Sequence, residues 1–205
     1  MHQNKFRGFR MNYDNLNEYI KIIDDFTKEH VKARRYDHSV RVAQTCSFLC
    51  KKYGLNPKLG YLAGIGHDMC KDFPEEEMIK LSKDAGLGIP KFELEHPQLL
   101  HGRAAATLLK NKFGIDDSDL LEAVTNHTSA CLNLCDLTKC LFVADKIEPG
   151  RPQSSEEYRA RLFAMNINQL FYAVLLENYE YVKAHGYDIY PDTLELIEEY
   201  KKYQK

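Results

Sequence analysis

Residues 64–72 read GIGHDMCKD. A histidine and an aspartate stand side by side, with glycines before them and a lysine four positions past the histidine. The apolar residues leading in, Leu59, Leu62 and Ala63, have helical spacing, so the pair is expected within a packed helix. An aspartate buried there needs a partner, because an unpaired charge in an apolar setting is costly. Gly64 and Gly66 each weaken a helix by up to ~1 kcal/mol relative to alanine, so they are expected to allow close approach of a second helix. Neighbouring helical residues diverge by about 100°. His67 and Asp68 are therefore expected to flank a bound cation rather than point at it from one side.

Outward from this stretch the apolar pattern stays helical. Leu16, Tyr19, Ile20, Ile23 and Phe26 mark a first helix after Asp14. Val42, Cys46, Leu49 and Tyr53 mark a second, closed by Gly54 and the Asn56-Pro57 turn. The third carries the quoted stretch. Pro74 and three glutamates open a fourth, since proline and acidic residues suit a helix N-terminus. A fifth runs from Leu99 to Phe113, ended by Gly114, and a sixth from an Asp117 or Ser118 cap through about Thr128. A seventh opens at Asp136 or Thr138 and stops at Glu148-Pro149-Gly150. A long eighth, capped by Ser154 or Ser155, passes through Leu162, Leu170, Val174, Leu175 and Tyr179. Pro191 starts a short last helix. Loops are short except around 85–98 and 149–155. No alternating strand, hairpin dipeptide or internal repeat is found. The expected fold is all-α, a single helical bundle over residues 13–205, with residues 1–12 as a flexible arm.

The chain has 205 residues, 44% of them hydrophobic, which suits one domain with its own core. A net charge of −2 gives no strong field for nucleic acid or membrane, so an anionic ligand must be met by local cations or metal ions. No apolar run reaches the ~18 residues of a membrane span. The N-terminal MHQNKFRGFRMN is basic but lacks the apolar core of a signal peptide. It reads as an arm, or as an extension upstream of a start at Met11. The six cysteines contain no C-x-x-C pair, so they are read as reduced, buried thiols of a cytoplasmic protein.

His38, the pair His67-Asp68, His101, His127 and Asp145 lie in order along separate expected helices. Each has apolar neighbours, such as VTNHTS around His127 and LFVADKI around Asp145. A single histidine on such a face is ordinarily a hydrogen-bonded core residue. The set as a whole points to a shared metal ion. His2, His30 and His185 are read as surface residues, and His96, in a loop before Pro97, as structural or at the rim of the site.

The order His, His-Asp, His, His, Asp resembles the HD-domain superfamily of metal-dependent phosphohydrolases. The segments RRYDHSVRVA (34–43), HDMCK (67–71), LLHG (99–102), NHTS (126–129) and ADKIEPGR (144–151) are similar to its YqeK-type family. That family's activity is symmetrical bis(5′-nucleosyl)-tetraphosphate hydrolysis, and the resemblance spans about residues 13–203. It implies an all-helical fold holding iron or a similar metal, often as a pair. It further implies His38, His67, Asp68 and Asp145 as primary ligands, with His101 and His127 completing a second site that Asp68 bridges. Imidazole and carboxylate ligands suit iron, manganese or cobalt, and zinc less well.

Lys71, one turn beyond His67, matches the family's His-Asp-x-x-Lys and is expected, with Asp68, to be catalytic and to contact substrate phosphate. Arg151 is expected to fold back onto phosphate oxygens, or else to pair with Glu148 or Glu156. Arg103 is a further candidate phosphate contact. It stands where the family commonly has proline, and Ser129-Ala130-Cys131 replaces a threonine-glycine run. Both departures border the substrate side and bear on substrate preference. The expected reaction is cleavage of diadenosine tetraphosphate to two ADP by a metal-activated hydroxide. The alternatives are a nucleotidase or phosphodiesterase on another nucleotide, a catalytically silent nucleotide-sensing module, and a helical adaptor. No feature excludes a homodimer.

Overall fold

Side-chain caps mark where several helices begin. Asn56 accepts from the Lys58 amide, Asp117 from Leu120, Ser155 from Tyr158, and Asn166 from Asn168 and Gln169. Each satisfies a donor the helix leaves unpaired, typically worth ~1 kcal/mol. The computed structural model describes residues 11–86 and 88–204. Its α-helices are α1 (Leu16–His30), α2 (Ala33–Lys52), α3 (Pro57–Gly66), α4 (Glu75–Asp84), α5 (Lys91–Glu95), α6 (His101–Asn111), α7 (Ser118–Asn126), α8 (Asp136–Ile147), α9 (Glu156–Phe163), α10 (Ile167–Ala184) and α11 (Thr193–Tyr200). Short 3₁₀ turns occupy Tyr13–Asn15, Pro97–Leu99 and Lys201–Tyr203. The described residues contain no strand, and no helix among them is long and apolar enough to cross a membrane.

The helical bundle expected from the periodicity is present, with local differences. The third helix stops at Gly66, so His67 and Asp68 lie in the turn beyond it. There the backbone tightens into i→i+3 bonds, Met69 N to Gly66 O and Lys71 N to Asp68 O. The cause is local. The His67 Nδ1–H donates to Gly64 O at 2.6 Å, taking the carbonyl that the next α-helical amide would use. The long eighth helix is two, α9 and α10. Asn166 and Gln169 form a reciprocal capping box that restarts the helix between them. The 85–98 segment contains α5 and a 3₁₀ turn, and α6 starts at His101 rather than Leu99. The first ten residues of the expected arm lie outside the described residues. Met11 and Asn12, however, join the fold. Met11 is buried and its amide donates to Asp116 at 2.8 Å, while Asn12 caps the first turn.

The core is one continuous cluster in which α8 packs against α2, α7 and α10, and α3 against α1, α2, α7 and α8. Leu141, Phe142, Val143 and Ala144 of α8 are essentially fully buried. Gly64 permits the α2–α3 crossing, because a Cβ there would overlap the Ala43 backbone. This close approach, on the helix that carries His38, is the one expected. Gly66 does not share the role, since its neighbours are only the side chains of Ile23 and Leu109. Gly102 makes a second such crossing. A Cβ there would stand 2.6 Å from Val124 O and 3.1 Å from His127 Cε1, so α6 and α7 meet next to His101 and His127.

Candidate metal centre

Helix ends converge on one point. His67 and Asp68 follow α3, His101 is the first residue of α6, His127 caps the end of α7, Asp145 lies in the last turn of α8, and His38 lies on α2. Two groups of potential ligand atoms lie within 4.8 Å of one another: His38, His67 and Asp145, and then His67, Asp68 and His127. His101 joins the second group through Asp68, its Nε2 standing 3.1 Å from Asp68 Oδ1. His67 and Asp68 both face this volume, 3.7 Å apart, because the turn replaces helical divergence.

Each imidazole is oriented by its other nitrogen. His67 Nδ1 donates to Gly64 O, His101 Nδ1 to Gln98 O, His127 Nδ1 to Val124 O and His38 Nδ1 to Glu148. The Nε2 lone pairs of His67, His101 and His127 therefore point into the shared volume, the tautomer a metal ligand requires, while His38 Nε2 faces Asp145 Oδ1 at 3.0 Å. His67 Nε2 is buried and has no hydrogen-bond partner, an arrangement that ordinarily costs 1–3 kcal/mol, of order ~2. Burial pushes the His67 imidazole down to about 4, and burial also lowers His101 and His127. Burial opposes the charge on Asp68, yet the surrounding imidazoles hold its carboxyl well below the usual range. Burial likewise opposes the Asp145 charge, which Lys146, His38 and Arg151 more than offset. Burial opposes the charge on His38, but its bonds to Asp145 and Glu148 raise its pKa. Three imidazoles with inward lone pairs, one of them orphaned, a fourth held between carboxylates, and two ionised aspartates form a donor set that fits divalent cations.

The centre lies in a cavity of about 550 Å³ whose lining includes Lys32, Arg34, Arg35, Arg41, Lys71 and Arg151. Lys71 Nζ stands 3.0 Å and 3.3 Å from the two ring nitrogens of His101, and burial lowers its pKa. Arg151 does fold back. Its guanidinium donates to Asp145 Oδ1 at 2.7 Å and Asp145 O at 2.8 Å, not to the Glu148 or Glu156 carboxylate. Arg103 is not brought to the cavity. Its guanidinium is committed to Glu93 at 2.9 Å and 3.1 Å, and Tyr190 donates to the same carboxylate. His96 has a structural role, bonded to Phe92 O and paired with Asp188. His185 is exposed, His30 is half-buried against Phe26, and His2 lies outside the described residues.

Arg35, Arg41, Glu148, Lys146 and Thr128 are site residues that reading the sequence missed. Arg35 and Arg41 stand three positions either side of His38, which places them near its face of α2, so the signal was in the spacing. Arg35 pairs with Asp68 at 3.3 Å and with Asp72 at 3.1 Å. Glu148 is buried between His38 Nδ1, at 3.1 Å, and the Arg41 guanidinium. Lys146 donates to Asp145 Oδ2 at 2.9 Å and to His127 O at 3.0 Å. All six cysteines are free thiols.

The family model described as HD domain matches residues 35–150. The symmetrical bis(5′-nucleosyl)-tetraphosphatase of Bacillus subtilis is 30% identical over 167 residues, 81% of this chain and 89% of that protein. A Mycoplasma pneumoniae protein named probable nicotinate-nucleotide adenylyltransferase/Ap4A hydrolase is 34% identical over 57% of this chain and 33% of its own length. Among solved structures, a protein from Clostridium acetobutylicum described as a predicted HD superfamily hydrolase involved in NAD metabolism superposes with a TM-score of 0.81. It is 27% identical, with 95% of this chain and 99% of that one covered.

Proposed function

The chain belongs to the HD domain family of hydrolases, and from that premise we propose that it hydrolyses dinucleoside polyphosphates with divalent metal ions, cutting diadenosine tetraphosphate symmetrically into two ADP. One observation carries this reading: imidazole Nε2 atoms and two carboxylates converge at the floor of a cation-lined cavity. The name of the Bacillus subtilis relative supplies the reaction.

His38, His67, Asp68 and Asp145 would hold one ion, and His101 and His127 a second, with Asp68 between them. Nitrogen and oxygen donors without thiolates suit iron, with manganese or cobalt as alternatives. Bound there, such ions make water a nucleophile near neutral pH and offset charge on phosphate oxygens.

The protein's own side chains bind and orient. Arg35, Lys71 and Arg151 surround the cluster and are placed to hold the anionic chain. Lys71, partly desolvated beside His101, meets the reacting phosphate, where an ammonium neutralises developing charge better than it would in water. Water adds to one of the two central phosphorus atoms. The bond from that phosphorus to the central bridging oxygen breaks, so one water is consumed and both products are ADP. Free thiols suit a reducing cytoplasm.

Product chromatography after incubating the metal-loaded protein with diadenosine tetraphosphate tests this reading. ADP as sole product is expected. AMP together with ATP contradicts the symmetrical cut, and no product at all contradicts the hydrolase reading.

A further inference from the structure

A second cavity, of about 660 Å³, opens beyond the wall that Arg151 and Pro152 share with the metal-centre cavity. Its other walls include Tyr158 of α9, Asn178 and Tyr181 of α10, and Lys146. None of the candidate ligands lies on α9 or α10, and the HD domain match ends at residue 150, before both helices. We propose that this second cavity binds one nucleoside of the substrate, with the phosphate chain running past Lys146 and Arg151 into the metal centre. The inference rests on the hydrolase reading above and names the part of the substrate these helices recognise.

Size, charge and surface chemistry agree. Small-molecule sites run roughly 300–1,000 Å³, and a third cavity near Thr128 and Tyr190, about 200 Å³, falls short of that. The neck is cationic and keeps donors in reserve. Arg151 spends two N–H groups on Asp145, and Lys146 one each on Asp145 and His127 O. A guanidinium has five such groups and an ammonium three, so both retain N–H groups for phosphate oxygens. Past the neck the walls turn aromatic. Tyr181, its ring centroid 4.1 Å from that of His185, is still 56% exposed, and a nucleobase stacking on the exposed surface would cover it. Tyr158 is held by its hydroxyl, which donates to Glu177. The half-buried Asn178 amide has no hydrogen-bond partner among the described residues. A carboxamide offers a donor and an acceptor together, the pattern that pairs with an adenine edge.

Two measurements on the metal-loaded protein test the assignment. In steady-state kinetics, Tyr181→Ala and Asn178→Ala should each raise KM for diadenosine tetraphosphate about tenfold while kcat changes less than about twofold. Tyr187→Ala, another exposed tyrosine but one that does not line the cavity, should change neither. The chain has no tryptophan, so Tyr181→Trp places a single, selectively excitable indole on the wall. ADP should quench it, inorganic pyrophosphate should not, and adding Asn178→Ala should weaken the ADP titration. If the wild type cleaves the tetraphosphate but KM is unmoved in both alanine variants and saturating ADP leaves the indole unquenched, the nucleoside lies elsewhere and the hydrolase reading stands. If the wild type cleaves nothing and ADP still quenches, the hydrolase reading falls and the cavity assignment survives.

Discussion

His101 Nε2 and His127 Nε2 face each other at 3.0 Å, although each ring has already donated its Nδ1–H to a backbone carbonyl. Two lone pairs at that distance repel unless a proton or a cation lies between them. On the proposed reading, one cation would resolve this contact and a second the orphaned His67 Nε2. His101→Ala should therefore lower the metal bound per chain from about two ions to one, read by elemental analysis of protein purified without oxygen. Wild-type stoichiometry in that variant would show that His101 holds no ion.

Asp68 stands among His67, His101 and His127, with Arg35 on its second oxygen. Asp68→Ala should reduce kcat by at least about 10²–10³-fold, the range seen when one preorganised electrostatic group is removed. Its far-ultraviolet circular dichroism should match the wild type, because the core does not depend on this side chain. Turnover at the wild-type rate would remove Asp68 from the mechanism.

Lys71 contacts His101 and Gln98 O but belongs to neither candidate ligand group. Lys71→Met should lower kcat and leave metal content near that of the wild type. If it loses as much metal as Asp68→Ala, the ammonium supports the centre rather than the substrate.

Glu148 accepts from His38 Nδ1 and from the Arg41 guanidinium, and burial of its carboxylate is offset by those two partners. A carboxylate behind a ligating imidazole fixes the ring and raises its basicity. Glu148→Gln keeps the shape and removes the charge, so metal affinity should fall about 10–100-fold in a chelator-competition titration. Unchanged affinity would mean that Glu148 serves only its pairing with Arg41.

Gly64 allows α3 to meet the Ala43 backbone. Gly64→Ala should cost about 1–3 kcal/mol in denaturant unfolding, the range for overpacking, despite alanine's better helix propensity. Equal or higher stability would mean that the crossing has slack.

The helical class was legible because apolar spacing at positions such as Leu16, Tyr19, Ile23 and Phe26 matches residues that are buried. The six proposed ligands were legible as a set, and all six meet in space. What escaped the reading depends on hydrogen bonding and direction. Apolar periodicity runs unbroken from Leu162 to Leu170, so it hides the break at Asn166, which side-chain caps create. His67 ends α3 by bonding to Gly64 O, a bond no spacing reveals. Arg103 is two residues beyond His101, about 200° around the helix, and so turns away from the centre to Glu93. Glu148 is buried by long-range pairing with α2, whereas its local sequence, next to Pro149 and Gly150, suggests only a helix stop.

The proposed centre gathers His38, His67, Asp68, His101, His127 and Asp145 around bound cations. Anomalous scattering from a crystal of anaerobically purified protein, recorded on either side of the iron absorption edge, tests it most directly. Strong difference peaks are expected within coordination distance of His67 Nε2 and Asp68. A map with no metal peak among these six side chains, from protein that cleaves the tetraphosphate, would contradict it.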